Sequence, residues 1–266
     1  MKRLLFVQLL LVTLVACQPT DEECAQFIVS EARTLIDNGQ WNEARILIDS
    51  LHATFPREVA QRRAAKALSD SIIYLEAQCT LAHVDTLLPP LLEQADQIIK
   101  RFKYEKNDKY ESNGKYVHRL LATNSNSARN FIQAYVMDNR QTVVKSYYCG
   151  PKQMNQQTII ISVGEEQSLF RGSNYHFQEG NHYEIMTLDN ENSLSLLKFI
   201  AAHTSTRVRV EGQGDTSARN WVYYLNDKEK EALTETYRLG AMMNDINRLE
   251  RMQVIAAAQI ERYSQK

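Results

Sequence analysis

The stretch FIQAYVMDNRQTVVKSYY, residues 131–148, decides the fold of this chain. Apolar and polar side chains alternate over residues 131–136, and a period of two residues is typical of a β-strand with one buried face. Residues 142–148 return as a second run of strand-forming residues. Asp138, Asn139 and Arg140 separate the two runs, and short polar segments of this kind form turns. The stretch therefore predicts an antiparallel β-hairpin.

Other short strands are predicted on both sides of this hairpin. They lie at residues 116–121, 158–163, 175–177, 183–188, 207–211 and 221–225. Turns are predicted at Gly150, Gly172, Gly180, Gly212 and Gly214. Residues 194–202 have the pattern of a helix whose Leu196, Leu197, Phe199 and Ile200 face inward. We therefore expect an α+β protein in which residues 115–226 form an antiparallel β-sandwich or open barrel with one inserted helix.

Helical patterns flank this domain on both sides. Apolar residues recur at alternating intervals of three and four in residues 81–102 and in residues 239–263, as in the seam of a coiled coil. We expect a stalk helix and linker at 81–114 to lie beside a C-terminal stalk helix at 227–266, although the two segments are distant in sequence. Pro89 and Pro90 should kink or restart the first of these helices.

Residues 25–80 predict a separate helical domain. Two amphipathic helices, divided at Asn38 and Gly39 and ended by Pro56, form a hairpin, and a third helix over residues 59–78 should pack across it. The hairpin resembles one degenerate tetratricopeptide repeat, in which Ala32 and Ala44 are the small residues at the helix crossing. A single repeat cannot form a solenoid, because stacked repeats need about three units.

The N-terminus predicts export and lipid attachment. Lys2 and Arg3 precede an apolar run that ends in Leu14-Val15-Ala16-Cys17, the pattern of a bacterial lipoprotein signal peptide. We expect residues 1–16 to be removed, Cys17 to carry the lipid, and residues 17–24 to form a tether. An ordinary signal peptide with an incidental cysteine is the alternative. The apolar run is shorter than the roughly 20 residues of a membrane span.

The residues after Cys17 bear on the location of the protein. The sequence 18–23, QPTDEE, resembles the acidic export tag of Bacteroidetes lipoproteins that are carried to the cell surface. The resemblance implies an outer-membrane lipoprotein and favours the cell surface over the periplasmic side. A solvated acidic segment before a helix would look the same.

A wider resemblance covers residues 81–266. Residues 147–150, 158–163, 199–202 and 207–212, followed by a helix at 227–239, resemble a group of uncharacterised Bacteroidetes lipoproteins with a coiled-coil helix, a β-sandwich and a returning C-terminal helix. The group has no established activity. The resemblance therefore implies a fold and a cell-envelope location, and no mechanism.

Charge and cysteine content narrow the function classes. The 266-residue chain has 31 basic and 32 acidic side chains, a net charge of −1, which gives no basic surface for nucleic acid. Besides Cys17 it has three cysteines, an odd number for an oxidising compartment. At least one thiol is therefore free or forms an intermolecular bond. Either Cys24 and Cys79 form a disulfide, or Cys24, Cys79 and Cys149 are all buried and reduced.

The sequence contains no recognisable catalytic, metal or cofactor motif. His176 and His182 flank a predicted turn near Glu179 and Glu184, but their spacing lacks a fourth zinc ligand. Residues 212–217 contain two glycines without the lysine and helix start of a phosphate loop. Cys149 has no neighbouring base that would activate its thiol. We therefore expect a non-enzymatic protein without a cofactor or metal.

Tyrosines are the remaining functional signal. Six lie in or beside predicted strands and could form an aromatic binding face: Tyr147, Tyr148, Tyr175, Tyr183, Tyr223 and Tyr224. Alternation should place one member of each adjacent pair inside. We expect a protein-interaction or scaffold module with a protein partner in the envelope. A glycan- or peptide-binding lipoprotein that serves a nutrient-uptake system is the alternative.

Overall fold

The computed structural model describes residues 19–107, 109, 112–121, 129–215 and 220–264, and in them the chain is α+β, as predicted. The helices are α1 (Asp21–Asp37), α2 (Trp41–Thr54), α3 (Val59–Ile99), α4 (Asn190–Ala202) and α5 (Asp227–Tyr263). The strands are β1 (Phe102–Glu105), β2 (Lys115–His118), β3 (Phe131–Met137), β4 (Thr142–Gly150), β5 (Gln156–Val163), β6 (Glu166–Arg171), β7 (Ser173–Glu179), β8 (Asn181–Thr187), β9 (Arg209–Gly214) and β10 (Trp221–Tyr224).

The chain divides into two compact units. The helical unit comprises Met1–His83 and Met252–Lys266, and the sheet unit comprises Val84–Arg251. Both boundaries fall inside long helices, α3 and α5, so each of these helices contributes residues to both units.

The helical unit confirms the predicted hairpin. Apolar residues of α1 and α2 pack with Ala65, Leu68 and Ile72 of α3 in one cluster. The first helix begins at Asp21, inside the segment 17–24 that was predicted to be tether. The reason is a capping box, because the Thr20 side chain accepts a hydrogen bond from the Glu23 amide while the Glu23 carboxylate accepts one from the Thr20 amide.

Of the two predictions for the paired prolines, a kink or a restart of the helix, the structure corrects the restart. A single helix, α3, runs from Val59 through Pro89 and Pro90, and the predicted helices at 59–78 and 81–102 belong to it. Both prolines are exposed, whereas Leu88 and Ala95 on either side of them are buried. Packing of the flanking turns therefore holds the helix together although each proline lacks an amide donor.

Segments from the two predicted stalk helices meet inside the sheet unit. Ile98 of α3 and Leu239 and Met243 of α5 belong to one apolar cluster around Phe102 and Val136. The helices that enter and leave the β-domain thus contact each other beside its six-stranded sheet, although about 140 residues separate Ile98 from Leu239 in the sequence.

The β-domain is a sandwich of two antiparallel sheets. The six-stranded sheet has the strand order β1-β2-β3-β4-β8-β7, and the four-stranded sheet has the order β10-β9-β5-β6. The predicted hairpin is confirmed, with Phe131 opposite Tyr147 across β3 and β4. The inserted helix α4 is confirmed as well, and its Leu196, Leu197 and Ile200 lie in the core.

Several local predictions are corrected. Strand β1 lies in the segment predicted as linker and β6 was not predicted, while β2 ends at His118. Gly212 and Gly214 lie inside β9, although turns were predicted there. A Cβ atom at Gly212 would lie 2.2 Å from Nε1 of Trp221, and one at Gly214 would lie 1.9 Å from the Met154 carbonyl oxygen. These glycines permit close packing inside the sandwich.

Candidate functional site

The face of the six-stranded sheet that points away from the sandwich core carries two adjoining rows of apolar side chains. Residues that oppose each other on paired strands lie on the same face of the sheet. The first row therefore crosses the four strands β3, β4, β8 and β7, and the second row crosses β4, β8 and β7. The first row is Phe131, Tyr147, Ile185 and Tyr175, and the second row is Cys149, Tyr183 and Phe177. We call these seven residues the outer aromatic face.

The outer aromatic face becomes more exposed toward strand β7. Phe131 at the β3 end is 5% exposed, and Tyr147, Tyr183 and Ile185 are partly buried. On the edge strand, Phe177 is 37% exposed and Tyr175 is 65% exposed. The accessible part of the face therefore lies at the edge of the sheet.

The rings of the outer aromatic face stack on one another. The Phe131 and Tyr147 rings are 4.5 Å apart and nearly parallel, at 9°. Phe177 and Tyr183 are 4.9 Å apart at 8°, and Tyr175 lies 6.0 Å from Phe177 at 36°. Stacked rings fix each other's orientation, so the face offers a preformed surface.

The phenol groups of Tyr147 and Tyr183 are uncharged near neutral pH. Burial raises the pKa of Tyr147, and its hydroxyl donates a hydrogen bond to Oε1 of Gln133 over 3.2 Å. A hydrogen bond with the Cys149 side chain raises the pKa of Tyr183. The face is therefore apolar with a few polar tips, a composition that is enriched at protein interfaces.

The six tyrosines predicted as one binding face do not lie together. Tyr147, Tyr175 and Tyr183 belong to the outer aromatic face, but Tyr148 is buried on the opposite side of β4 and donates to the Lys152 carbonyl oxygen over 2.8 Å. Alternation along the strand separates the adjacent pair. The sequence prediction missed three further residues of this face. Phe131 lies opposite Tyr147 in the β3–β4 hairpin, whereas the pairing of β8 with β4 and of β7 with β8 brings Ile185 and Phe177 beside these tyrosines.

Tyr223 and Tyr224 lie in the four-stranded sheet. The Tyr223 hydroxyl accepts a hydrogen bond from the Ile132 amide over 3.0 Å, and burial raises the pKa of this tyrosine. Tyr224 points outward, and the Arg207 guanidinium lies over its ring at 3.6 Å. Tyr223 therefore joins the two sheets, whereas Tyr224 is covered by a cation.

A buried carboxylate beneath strand β8 supports the outer aromatic face. Glu184 is fully buried, and its oxygens accept hydrogen bonds from the amides of Met154, Asn155 and Gln156 at 2.7, 2.7 and 2.5 Å and from the Asn174 side chain at 2.8 Å. Burial alone would raise the pKa of Glu184, but these four donors outweigh it and hold the pKa below its ordinary value. The carboxylate thus fixes the segment before β5 against β7 and β8.

The two histidines considered as metal ligands lie close together. His176 Nε2 is 3.0 Å from His182 Nδ1, on the side of the sheet that faces the core. Glu184, opposite His176 across the strand pair, is occupied by its four donors. Within the described ranges, no group of three or more histidine, cysteine, aspartate or glutamate side chains is placed to hold a metal ion.

The predicted lipid site and the cysteines are located as follows. Cys17 lies outside the described residues. Cys24, Cys79 and Cys149 are free thiols, so the disulfide between Cys24 and Cys79 that the sequence left open is not formed. The expectation that all three are buried is wrong, because Cys79 is exposed and Cys24 and Cys149 are partly exposed. In the part of the chain that the structure covers, no helix combines the length and the apolar composition needed to cross a bilayer.

The helical unit has a shallow groove of about 460 Å³ between α2 and α3. Trp41, Glu43 and Glu76 line it together with Cys79, and an ion pair between Arg45 and Glu76 lies beside it. The groove is open and polar.

Comparison with protein-family models, with curated proteins and with solved structures finds no match for this chain.

Proposed function

We propose that this chain is a lipid-anchored protein of the bacterial outer membrane that binds a protein partner through the outer aromatic face and has no catalytic activity. The lipid on Cys17 attaches it to the membrane, and the β-sandwich presents the binding surface. One observation carries the proposal: two adjoining apolar rows end in exposed rings at the sheet edge, where Tyr175 is 65% exposed. Continuous exposed apolar surface of this kind is characteristic of interaction sites.

The geometry of the rings favours a protein over a sugar. A sugar stacks on a free aromatic ring face, but Phe177 shares one face with Tyr183, and Tyr147 shares one with Phe131. Apolar ring edges and partly buried tyrosines fit the core of a protein interface. Tyr175 is tilted by 36° from its neighbour and keeps a ring accessible, and this single ring supports glycan binding as the second candidate.

Photo-cross-linking in intact cells tests the binding surface. A photoreactive phenylalanine analogue replaces Tyr175 in one variant and Tyr224 in the matched control, since both tyrosines are exposed on edge strands. We expect protein adducts of defined mass at position 175 and none at position 224. Equal labelling at both positions, or none at position 175, would refute the proposed surface. Glycan-array binding that the Tyr175→Ala substitution abolishes, without protein adducts, would favour the second candidate.

Mass spectrometry of the mature N-terminus tests the anchor. We expect the first residue to be Cys17 with a diacylglyceryl group, and we expect the Cys17→Ala substitution to release the protein from the membrane fraction. A mature N-terminus without lipid would refute the anchor. Protease treatment of intact cells then assigns the membrane face, because a surface protein is cleaved and a protein facing the periplasm is protected.

A further inference from the structure

The four edge strands of the sandwich differ in how well they are protected against pairing with another chain. β1 and β10 have four residues each, and β6 has six, with Glu166 and Arg171 at its two ends. β7 has seven residues with a single carboxylate, Glu179, and neither lysine nor arginine. Short length and charged side chains are the usual protections of an edge strand. β7 is therefore the least protected edge.

The outer backbone groups of β7 are available for pairing. Within the described ranges, the backbone of this strand forms hydrogen bonds to β8 only. Alternate amide and carbonyl groups of β7 therefore point away from the sheet. Another extended chain can form backbone hydrogen bonds with a row of such groups.

We propose that β7 pairs antiparallel with β7 of a second copy of this chain and joins two six-stranded sheets into one sheet of twelve strands. The twofold axis passes beside His176, so this residue faces His176 of the second copy. The register follows from this centre by counting outward: Tyr175 faces Phe177 of the second copy, Asn174 faces Gln178, and Ser173 faces Glu179. A twofold interface uses the same strand on both copies.

This register is complementary with itself. It pairs an aromatic ring with an aromatic ring and an amide side chain with an amide side chain, and it places the only carboxylate of β7 opposite a serine. Aromatic cross-strand pairs contribute favourably, whereas like charges directly opposite each other would be unfavourable. No two carboxylates face each other here, and the one pair of identical titratable groups is His176 with His176 of the second copy.

The register also connects the outer aromatic faces of the two copies. The first row of one copy ends at Tyr175, which faces Phe177 of the second copy, where the second row begins. Each apolar row therefore continues across the junction without a gap, and the exposed rings of Tyr175 and Phe177 lie against each other across it. A partner strand of unrelated sequence would not produce this continuity, and the second copy is favoured for that reason.

The inference rests on the proposed function in one respect, since it takes the partner of the outer aromatic face to be the chain itself. Anchoring through Cys17 would hold all copies on one membrane surface. Confinement of that kind raises the effective concentration, so even a modest edge-to-edge affinity suffices for pairing.

Disulfide cross-linking in membranes tests the register. In a full-length chain that keeps Cys17 but carries Cys24→Ser, Cys79→Ser and Cys149→Ser, His176→Cys places a thiol at the twofold axis. Directly opposed residues have Cα atoms about 4.5–5.5 Å apart, which a disulfide can bridge. The matched control is Gln178→Cys on the same side of the same strand. In the dimer, the two cysteines at position 178 lie four residues apart along the strands. This distance is roughly 14 Å, which a disulfide cannot bridge.

We expect the His176→Cys variant to form a covalent dimer of this chain under mild oxidation and the Gln178→Cys variant to remain monomeric. Adding Phe177→Lys to His176→Cys should remove the dimer, whereas adding Val222→Lys, on the edge strand β10, should not. Melting temperatures close to that of the parent chain establish that all variants are folded.

Three results would overturn the inference: no dimer with His176→Cys, equal dimer formation with both cysteines, or a cross-link to a different protein. The third result, together with photo-adducts at position 175, would leave the proposed function standing and replace the second copy by another partner. Absence of both the disulfide and the photo-adducts would refute the two proposals together.

Discussion

The edge strands β7 and β10 present similar side chains in different surroundings. Each carries two exposed apolar residues two positions apart: Tyr175 and Phe177 on β7, Val222 and Tyr224 on β10. The Tyr224 ring is covered by Arg207, and β10 has only four residues. The β7 rings have no cation over them among the described contacts and continue inward to Tyr183. Exposed apolar residues alone therefore do not mark a binding surface. A binding surface is marked by exposed rings that continue into further apolar side chains and have no charged group over them.

The two sheets also differ in how they hold a glutamate. Glu184, in the six-stranded sheet, is fully buried, and three of its four donors are backbone amides. Glu211, in the four-stranded sheet, is partly exposed and is held by the side chains of Gln213, Arg209 and Asn220. Side chains can turn toward water when a partner is lost, but backbone amides fixed in a fold cannot. The sheet that carries the binding surface thus depends more strongly on its carboxylate.

The largest expected effect comes from Glu184→Ala. The substitution leaves three buried backbone amides without an acceptor, and we expect the sheet unit to lose about 3–5 kcal/mol of unfolding free energy. Urea unfolding followed by the fluorescence of Trp221, in a Trp41→Phe background, measures this loss in the sheet unit. A loss below about 1 kcal/mol would show that the carboxylate does not hold this part of the sandwich.

Acid should remove the contribution of Glu184. The pKa of Glu184 is lower in the folded state than in the unfolded chain, where a glutamate titrates at about 4.3. The contribution of Glu184 to the unfolding free energy is therefore complete above that pH. It is lost as the pH falls through the folded-state pKa. We therefore expect the difference in unfolding free energy between the parent chain and Glu184→Gln to shrink as the pH falls below about 4. A difference that stays constant from neutral pH into this range would contradict the assignment.

Gly212→Ala tests the packing of the four-stranded sheet. A Cβ atom there would lie 2.2 Å from Nε1 of the buried Trp221 indole, so the ring must move. We expect a loss of about 1–3 kcal/mol and a red shift of the Trp221 emission. A variant with the stability and the emission spectrum of the parent chain would show that the indole can be displaced freely.

Glu211→Gln should have a small effect. Solvent screens the ion pair between Arg209 and this partly exposed carboxylate, so we expect a loss of less than about 1 kcal/mol. The same unfolding measurement compares it directly with Glu184→Ala. Equal losses of unfolding free energy for Glu211→Gln and Glu184→Ala would show that a carboxylate held by backbone amides contributes no more than one held by side chains.

Much of the fold could be predicted from local patterns. The hairpin of β3 and β4 followed from two runs of strand-forming residues around a polar turn, and the α1–α2 hairpin followed from helical spacing that ends at Gly39. Other features depended on tertiary contacts. The helix continues through Pro89 and Pro90 because its flanking turns are packed, and Gly212 and Gly214 look like turn residues until Trp221 and Met154 are seen against them.

The candidate site was only partly predictable. Tyrosine content pointed to an aromatic surface, and alternation separated Tyr147 from Tyr148. The strand order was not readable from the sequence, so the pairing of Tyr147 with Ile185 could not be foreseen. The pairing of Tyr183 with Phe177, by contrast, is consistent with the strands predicted on both sides of the turn at Gly180. The role of Glu184 was hidden for the same reason, because its donors lie about 30 residues earlier in the chain.

The most direct test of the binding surface is the mass of the full chain after mild detergent extraction from membranes, measured by light scattering. One variant combines Tyr175→Ser with Phe177→Ser, and its matched control combines Val222→Ser with Tyr224→Ser. Each pair lies on an edge strand and loses a comparable set of side-chain contacts, so we expect both double substitutions to lower the unfolding free energy by a similar amount, about 1–2 kcal/mol, and to leave the chain folded. We predict that the parent chain and the β10 control are extracted as a complex and that the β7 variant has the mass of a single chain. The same mass for all three proteins would contradict the account.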